Sequence, residues 1–322
     1  MKSRASALLT AFAVSTAGPA VAGEGSIRES MDDAWWNGPL LAIPAGTIQE
    51  GTFAAGAGLL DQISHAGGGA NAVPAPGLNE ADFRSALIYG VSDNLNLGLW
   101  PLVGLGELPP GQGGSNLELG DWIVEGQYKL HDFRQGEWLP TISLNLAETF
   151  PTGQYDRLLP ASDPLGAGAY STTLGLYTQM PFWMPTGRIL RAEFNLSYTF
   201  SSRVGISGMS VYGTPDGFSG HANPGSSILG DLTLEYSISR RWSAATEVQL
   251  ELDNPTHVAG TDASGAPLQA SSGLGHVLYV TPYLEYDWSA TEGLSFGTRI
   301  YAAGHNETPT VTPVVLFTRY FG

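Results

Sequence analysis

Charged side chains recur at every second position of several segments, and their types limit the chemistry that the chain could perform. Arg191 and Glu193 alternate with apolar residues, as do Asp231 and Glu235. Period-two alternation places such residues on one face of a β-strand. We predict that these residues line a polar conduit or form a structural ion-pair network. The full set is Arg84, Asp121, Glu125, Lys129, Arg191, Glu193, Asp231, Glu235, Glu247, Glu251, Glu285, Asp287 and Arg299.

Catalytic chemistry has little support in the residue types. A hydrolase needs an activated nucleophile with a base in reach, and neither a G-x-S-x-G elbow nor an H-E-x-x-H pair occurs. His276, with Ser271 and Ser272 nearby, is the best candidate for such a base. The chain has no cysteine, which excludes disulfides and thiolate metal sites. We therefore predict no catalytic, metal-binding or cofactor-binding residues, and no enzyme activity.

The amino-terminal segment has the parts of an export signal. Lys2 and Arg4 are basic, 7 to 14 is mostly apolar, and Ala20-Val21-Ala22 offers a cleavage site. Removal of the two basic residues from the 14 Lys and Arg leaves 12 against 30 Asp and Glu. Nucleic acid is therefore not an expected partner, because phosphate binding needs clustered basic residues. No stretch after 22 is long and apolar enough for a transmembrane helix.

The elements that position the charged residues are predicted to be strands, because apolar and polar residues alternate almost throughout. Even positions are apolar in 138 to 146 and 190 to 200, and polar residues lie between them. Long Gly- and Pro-rich connections are predicted at 59–80, 104–116, 151–168, 213–225, 253–274 and 304–308. The short turns between them, counted as periplasmic, imply twelve strands. These are 47–58, 81–91, 94–103, 117–130, 138–150, 168–181, 188–212, 226–239, 241–252, 275–288, 293–303 and 309–321.

This pattern predicts an all-β fold, a single antiparallel up-and-down transmembrane β-barrel with both termini periplasmic. Alternating short turns and long loops are typical of outer-membrane barrels. Aromatic residues at strand ends fit interfacial girdles, and the last strand ends in Tyr320-Phe321 before Gly322. The girdle candidates are Trp138, Phe200, Trp242, Tyr286 and Trp288. The alternative is a soluble β-sandwich, which also alternates but explains neither the turns nor the aromatic end.

The domain organisation follows from these boundaries. Residues 1–22 are predicted to be the signal peptide and 47–322 the barrel. Residues 23–46, with Trp35 and Trp36, are a periplasmic segment or a plug in the barrel mouth. Twelve strands lie between the filled eight-stranded barrel and the open sixteen-stranded one, so the lumen could be open or plugged.

Several runs in a consistent order resemble the outer-membrane transporter family associated with the meta-pathway of phenol degradation. They are Ala86 to Leu99, Leu117 to Leu130, Leu144 to Tyr155, Leu229 to Trp242, Tyr279 to Phe296 and Val311 to Phe321. Asp121 and Pro151-Thr152-Gly153 also match features that recur in the family, and we interpret them as strand or loop-entry elements.

The resemblance implies passive uptake of small hydrophobic or aromatic compounds across the outer membrane. It carries no catalytic residues. The expected partners are outer-membrane lipid, a small-molecule solute and the barrel-assembly machinery. The alternatives are a structural or surface-binding barrel with a plugged lumen and, less favoured, an outer-membrane hydrolase.

Overall fold

The computed structural model describes residues 28–31, 33–64, 79–107, 115–159 and 164–322. The predicted signal peptide and most of the predicted long connection at 59–80 lie outside the described residues. Within the described part, no helix has the length and apolar character needed to cross a membrane. The strands are β1 Phe53–Ser64, β2 Asn79–Ser92, β3 Leu95–Trp100, β4 Leu102–Glu107, β5 Ser115–Leu119, β6 Trp122–His131, β7 Thr141–Phe150, β8 Ser171–Trp183, β9 Ile189–Ser201, β10 Val204–Ser207, β11 Ser219–Asn223, β12 Ser227–Ser237, β13 Trp242–Asp253, β14 His257–Thr261, β15 Pro267–Ser271, β16 Gly275–Ser289, β17 Glu292–His305 and β18 Thr310–Phe321.

Twelve of the described strands close into one antiparallel barrel. Their order is β1-β18-β17-β16-β13-β12-β9-β8-β7-β6-β3-β2, and β2 returns to β1. The short strands β4 and β5 continue β3 and β6 after breaks at Pro101 and at Gly120-Asp121. The first and last strands meet at Phe53 and Phe321, so β1 begins and β18 ends at the same rim. The predicted twelve-stranded antiparallel barrel is confirmed.

The two rims differ in the length of their connections. One rim, which we call the turn end, carries the connections 93–94, 132–140, 184–188, 238–241 and 290–291. The opposite rim, the loop end, carries 151–170, 202–226, 254–274 and 306–309. In outer-membrane barrels short turns face the periplasm and long loops face outward. The turn end is thus the periplasmic end in this architecture.

The sequence forms these strands because alternate residues suit two different surroundings. In β9, Phe194 and Leu196 are exposed on the outer surface, whereas Glu193 and Asn195 are buried inside. In β12, Leu232 and Leu234 point outward and Asp231, Thr233 and Glu235 inward. An apolar outer surface over a polar interior is the arrangement that a membrane barrel requires, because lipid cannot solvate charge.

The predicted single strand at 188–212 is wrong. β9 ends at Ser201, and after two residues β10 pairs with β11 in a separate four-stranded sheet of order β10-β11-β14-β15. Two predicted long loops, 213–225 and 253–274, contain the other strands of that sheet. Val204 and Ile206 keep the even-position spacing of Tyr198 and Phe200 on the other side of Ser202, so the pattern cannot reveal that the chain changes its pairing partner.

The small sheet has its own core at the loop end. Val204, Ile206, Ala222 and Val258 pack around Phe218, which is 2% exposed. Ala169, from the connection after β7, joins this cluster. The loop end therefore carries a folded cap, residues 204–223 and 257–271, and its buried apolar side chains stabilise it.

The first strand is also displaced from its prediction. β1 begins at Phe53 rather than at 47 and extends to Ser64, into the stretch predicted as a loop. Gly51 adopts a φ of +78°, a left-handed conformation that breaks an extended strand. Its amide donates to the Gly90 carbonyl, which fixes the entry into β1.

Candidate functional site

The inward face of the barrel carries most of the charge predicted to lie there. Around the turn-end half of the lumen, Arg191, Glu193, Asp231, Glu235, Glu247, Glu285 and Asp287 are all buried on β9, β12, β13 and β16. Glu235 binds two partners, because Arg191 Nε lies 2.5 Å from its Oε2 and Tyr283 donates its hydroxyl to its Oε1 at 2.8 Å. The second acid beside Arg191 is Glu193, whose Oε1 lies 3.1 Å from Nε. These residues form an acidic cluster in which Arg191 is the one basic member.

Residues 33–46, which we call the inner segment, cross this half of the lumen. The segment starts at the turn end, where the Trp35 amide donates to the Arg240 carbonyl at 3.1 Å. Its Leu40 packs with Leu60, Tyr283 and Val314 from the barrel wall. The inner segment therefore lies inside the barrel, against the wall strands β1, β16 and β18.

Polar side chains of the wall hold the inner segment through its backbone. Glu285 accepts from the Asn37 amide and Glu247 from the Leu41 amide. Asn195 donates to the Ile43 carbonyl at 2.7 Å, and Ser143 to the Ala45 carbonyl at 2.5 Å. Gln127 donates to the Pro44 carbonyl at 2.9 Å. Two of the predicted conduit residues, Glu247 and Glu285, thus bind the chain itself.

Tryptophan rings add to this anchorage. The Arg191 guanidinium carbon lies 4.7 Å from the centre of the Trp36 ring, and that of Arg240 lies 4.7 Å from Trp35. Such cation–π contacts contribute about 0.5 to 2 kcal/mol each. Just before the segment, the Glu29 carboxylate pairs with Arg188 and accepts from the Ser237 hydroxyl. The segment is therefore fixed at its entry as well as along its path.

A cavity of about 450 Å³ lies in the lumen beside the inner segment. One wall is largely apolar, from the inner segment and from β1, β2 and β18, and includes Leu41, Leu60 and Leu316. The facing wall includes Trp100, Glu125, Asn145 and Tyr177, one from each of β3, β6, β7 and β8. The volume falls within the range of small-molecule sites.

Five of the remaining predicted lumen residues lie in three places. Arg84 and Glu125 line the cavity. Glu251 and Arg299 lie nearer the loop end, and the Arg299 guanidinium stacks 3.6 Å from the centre of the Tyr279 ring. Lys129 lies near the turn end, where it pairs with Asp132 at 3.2 Å. The structure thus brings seven of the thirteen into one cluster and distributes the others.

Asp121 has a different surrounding from the rest of the predicted set. Its Oδ1 accepts from the Gly153 amide at 2.9 Å and its Oδ2 from the Ala167 amide at 2.7 Å. Asp121 therefore links the break between β5 and β6 to residues near both ends of the 151–170 connection. The interpretation of Asp121 and Gly153 as strand and loop-entry elements agrees with this contact.

Two loop-end groups have shifted pKa values. Burial, together with nearby Asp253 and Glu251, raises the pKa of Glu307 to about 7. Burial and then the charge of Asp121 raise the pKa of Tyr212 to about 12. Tyr212 donates its hydroxyl to the Ala167 carbonyl at 2.6 Å, so a neutral hydroxyl suits its position.

The cavity wall contains functional candidates that the sequence did not single out. Trp100 and Tyr177 are inward-facing aromatics, whereas the sequence pattern predicts aromatic residues only in the lipid-facing girdles. Of the girdle residues predicted, Trp138 lies in a turn and is 84% exposed. Among the residues that line the cavity, the sequence pattern indicates only the polar ones at alternate strand positions, such as Asn145, as inward-facing. No group of His, Asp or Glu in the described residues is arranged to hold a metal ion.

An antiparallel twelve-stranded barrel with an apolar outer surface and a charged lumen is an outer-membrane type of β-barrel. The chain belongs to the family described as "Putative MetA-pathway of phenol degradation", whose model matches residues 82–306. The match confirms the resemblance that the sequence runs indicated. A comparison with curated protein sequences finds no match.

A solved structure agrees with the architecture. An outer membrane channel from Pseudomonas putida F1 has a TM-score of 0.63 at 13% identity, over 86% of this chain and 98% of that chain. The CymD monoaromatic hydrocarbon channel has a TM-score of 0.39 at 11% identity, over 85% and 89% of the two chains. The transport unit of the AIDA-I autotransporter from Escherichia coli has 0.45 at 9% identity, over 88% and 94%. At these identities the first similarity establishes the fold, and the other two scores are too low to support an argument.

Proposed function

We propose that this chain is a passive outer-membrane channel for small hydrophobic or aromatic compounds. The observation that carries the proposal is the cavity of about 450 Å³ inside the barrel, with one largely apolar wall. A solute with an apolar body gains free energy on entering such a space, at roughly 25 cal/mol per Å² of surface removed from water.

Two comparisons support the same function. The structure with the same fold from Pseudomonas putida F1 is named an outer membrane channel. The family description refers to phenol degradation, a pathway whose substrate is a small aromatic. A channel at the outer membrane would supply such a pathway with its substrate.

The remaining parts of the proposal concern export and assembly. Residues 1–22 direct export and are removed, 23–46 enter the lumen, and 47–322 form the barrel. The partners are outer-membrane lipid, the solute and the barrel-assembly machinery. The function is transport without catalysis, because a conduit needs no nucleophile or base.

A structural or surface-binding barrel with a plugged lumen is the second candidate. The inner segment favours it, since at least five wall side chains bind the backbone of this segment. The folded cap at the loop end would then be the binding surface.

Planar-bilayer conductance of the purified chain separates the two candidates. For a channel, we expect discrete current steps that phenol or toluene reduces, because a solute in the cavity obstructs the ion path. A correctly folded barrel that gives no steps, both intact and without residues 33–46, would instead support the structural candidate. Protein-free bilayers with the same solutes control for effects on lipid.

A further inference from the structure

The polar wall of the cavity contains buried hydrogen-bonding groups that the protein leaves unpaired. Asn145 is 4% exposed, and its Oδ1 has no protein partner. The indole Nε1 of Trp100 is also buried without a partner. An unpaired buried donor or acceptor is unfavourable, because it has lost its hydrogen bonds to water without replacing them. The cavity wall therefore offers one free acceptor and one free donor.

Both unpaired atoms lie around one carboxylate, that of Glu125. The Asn145 amide nitrogen donates to Glu125 Oε2 at 3.2 Å, which leaves Oδ1 of the same amide available. The Trp100 indole N–H faces this carboxylate but makes no aligned hydrogen bond to it. Glu125 itself is 5% exposed. These three residues come from adjacent strands β3, β6 and β7.

Two glycines, Gly98 on β3 and Gly175 on the neighbouring β8, make room for the side chains of this wall. A Cβ atom at Gly98 would lie 2.7 Å from Glu125 Cγ and Oε1, so the carboxylate lies across a position that only glycine leaves open. A Cβ atom at Gly175 would lie 2.8 Å from the hydroxyl of Tyr177, so this ring covers Gly175 in the same way. The polar wall is thus a built feature of four neighbouring strands.

We propose that Trp100, Glu125 and Asn145 form a specificity site for solutes that carry one hydroxyl group on a small apolar body. This inference rests on the proposed channel function and assigns the solute orientation. The hydroxyl hydrogen donates to Asn145 Oδ1 or to the Glu125 carboxylate, and the hydroxyl oxygen accepts from the Trp100 indole. The apolar body lies against the opposite wall, near Leu41 and Leu316.

The site favours hydrogen-bond donors over isosteric hydrocarbons and ethers. A site that is built to bond a hydroxyl rejects an analogue without it, because its own polar groups then stay unpaired. A carboxylate-bearing solute is also disfavoured, since its charge would lie against Glu125. The expected order is therefore phenol-like solutes first, then toluene-like and anisole-like solutes.

Ligand-observed ¹⁹F NMR on the full chain in detergent micelles tests the site. The probes are 4-fluorophenol, 4-fluorotoluene and 4-fluoroanisole, with protein-free micelles as the background. The wild type should bind 4-fluorophenol about tenfold more tightly than the other two, which is the expected effect of one good hydrogen bond. Trp100→Phe, Glu125→Gln and Asn145→Leu should each reduce the affinity for 4-fluorophenol by about three- to tenfold. They should leave 4-fluorotoluene binding unchanged.

Glu148→Gln is the matched control, because Glu148 lies on the same strand as Asn145, with its carboxylate bonded to Thr172. Heat-dependent gel mobility verifies folding of every variant. If Glu125→Gln does not fold, Trp100→Phe still tests the site, because it removes a single N–H. Equal binding of the three probes, or equal losses in Glu148→Gln, would overturn the inference.

The outcome is separable from that of the channel proposal. A conducting chain whose 4-fluorophenol binding is insensitive to all three substitutions keeps the channel and loses the site. A chain that binds 4-fluorophenol through Glu125 but conducts nothing keeps the site and loses the channel.

Discussion

Arg191 illustrates how single residues keep a charged interior folded. Its side chain is 9% exposed and lies between the Glu193 and Glu235 carboxylates, with the Trp36 ring on one face. Burial of an ion costs several kcal/mol, and a close partner with good geometry offsets that cost. Removal of one partner leaves the others buried without compensation. Arg191 thus acts as the shared counter-charge of Glu193 and Glu235.

We predict that Arg191→Ala destabilises the barrel by about 3 to 5 kcal/mol, the usual cost of breaking a buried pair. The free energy of unfolding is measured by urea titration in lipid vesicles. Arg188→Ala is the control, because Arg188 pairs with Glu29 at the rim and its side chain is 41% exposed. An exposed pair contributes about 0 to 1 kcal/mol. Similar losses in both variants would contradict the role of Arg191.

Glu307 gives a prediction for pH dependence. Its pKa is raised to about 7 in the fold, mainly by burial, so the folded chain holds a proton that the unfolded chain releases near pH 4.5. Stability from this group is therefore present below about pH 4.5 and decreases as the pH rises to about 7. We expect Glu307→Gln to match the wild type at pH 4.5 and to unfold at a higher temperature than the wild type at pH 8. A constant difference between the two proteins at all pH values would contradict the assignment.

At the scale of elements, the strands were predictable and the paths between them were not. Alternation in β9 and β12 reports directly which residues meet lipid and which meet the lumen, so strand identity and face follow from residue type. Val204 and Ile206 follow the same alternation, but they face the core of the small sheet at the loop end. Nothing in the local pattern distinguishes a residue that faces this core from one that faces lipid. The inner segment carries no periodic signal, because much of its binding to the wall is through its backbone. Its position could not be read from residue types.

The inner segment should limit the current through the barrel. Deletion of residues 33–46 removes chain that crosses the lumen, so we expect single-channel conductance to rise several-fold in planar bilayers. Trp36→Ala should give a smaller rise, because it removes the ring on Arg191 but keeps the backbone bonds. Trp138→Ala is the control, since this side chain lies in a turn and is 84% exposed. Unchanged conductance after the deletion would show that another element closes the lumen.

The whole molecule is organised by one division, between an outer surface that lipid solvates and an interior that it does not. Leu174, Leu176 and Leu196 form part of the outer surface, each more than 40% exposed in the isolated chain. A soluble sandwich would place such residues in a shared core, and its polar residues would face water. Here the polar face is the buried one, as the 0% exposure of Glu235 and Glu285 demonstrates. This division suits a barrel surrounded by lipid, because lipid solvates apolar side chains but not charged ones.

The free-energy cost of an arginine at different depths of the membrane tests this division between outer surface and interior. Leu196 lies near the middle of β9, so Leu196→Arg should place a guanidinium near the bilayer centre and cost about 2 to 4 kcal/mol. Phe200→Arg, near the loop end of the same strand, should cost roughly 0 to 1 kcal/mol, because the side chain reaches the interface. The measurement is the free energy of folding into lipid vesicles from denaturant titrations. The same barrel surrounded by water would show no such gradient, since an exposed arginine in water changes stability by less than about 0.5 kcal/mol at either position. Equal and small costs at both sites would therefore reject the transmembrane arrangement, whereas a graded cost along β9 locates the bilayer centre near Leu196.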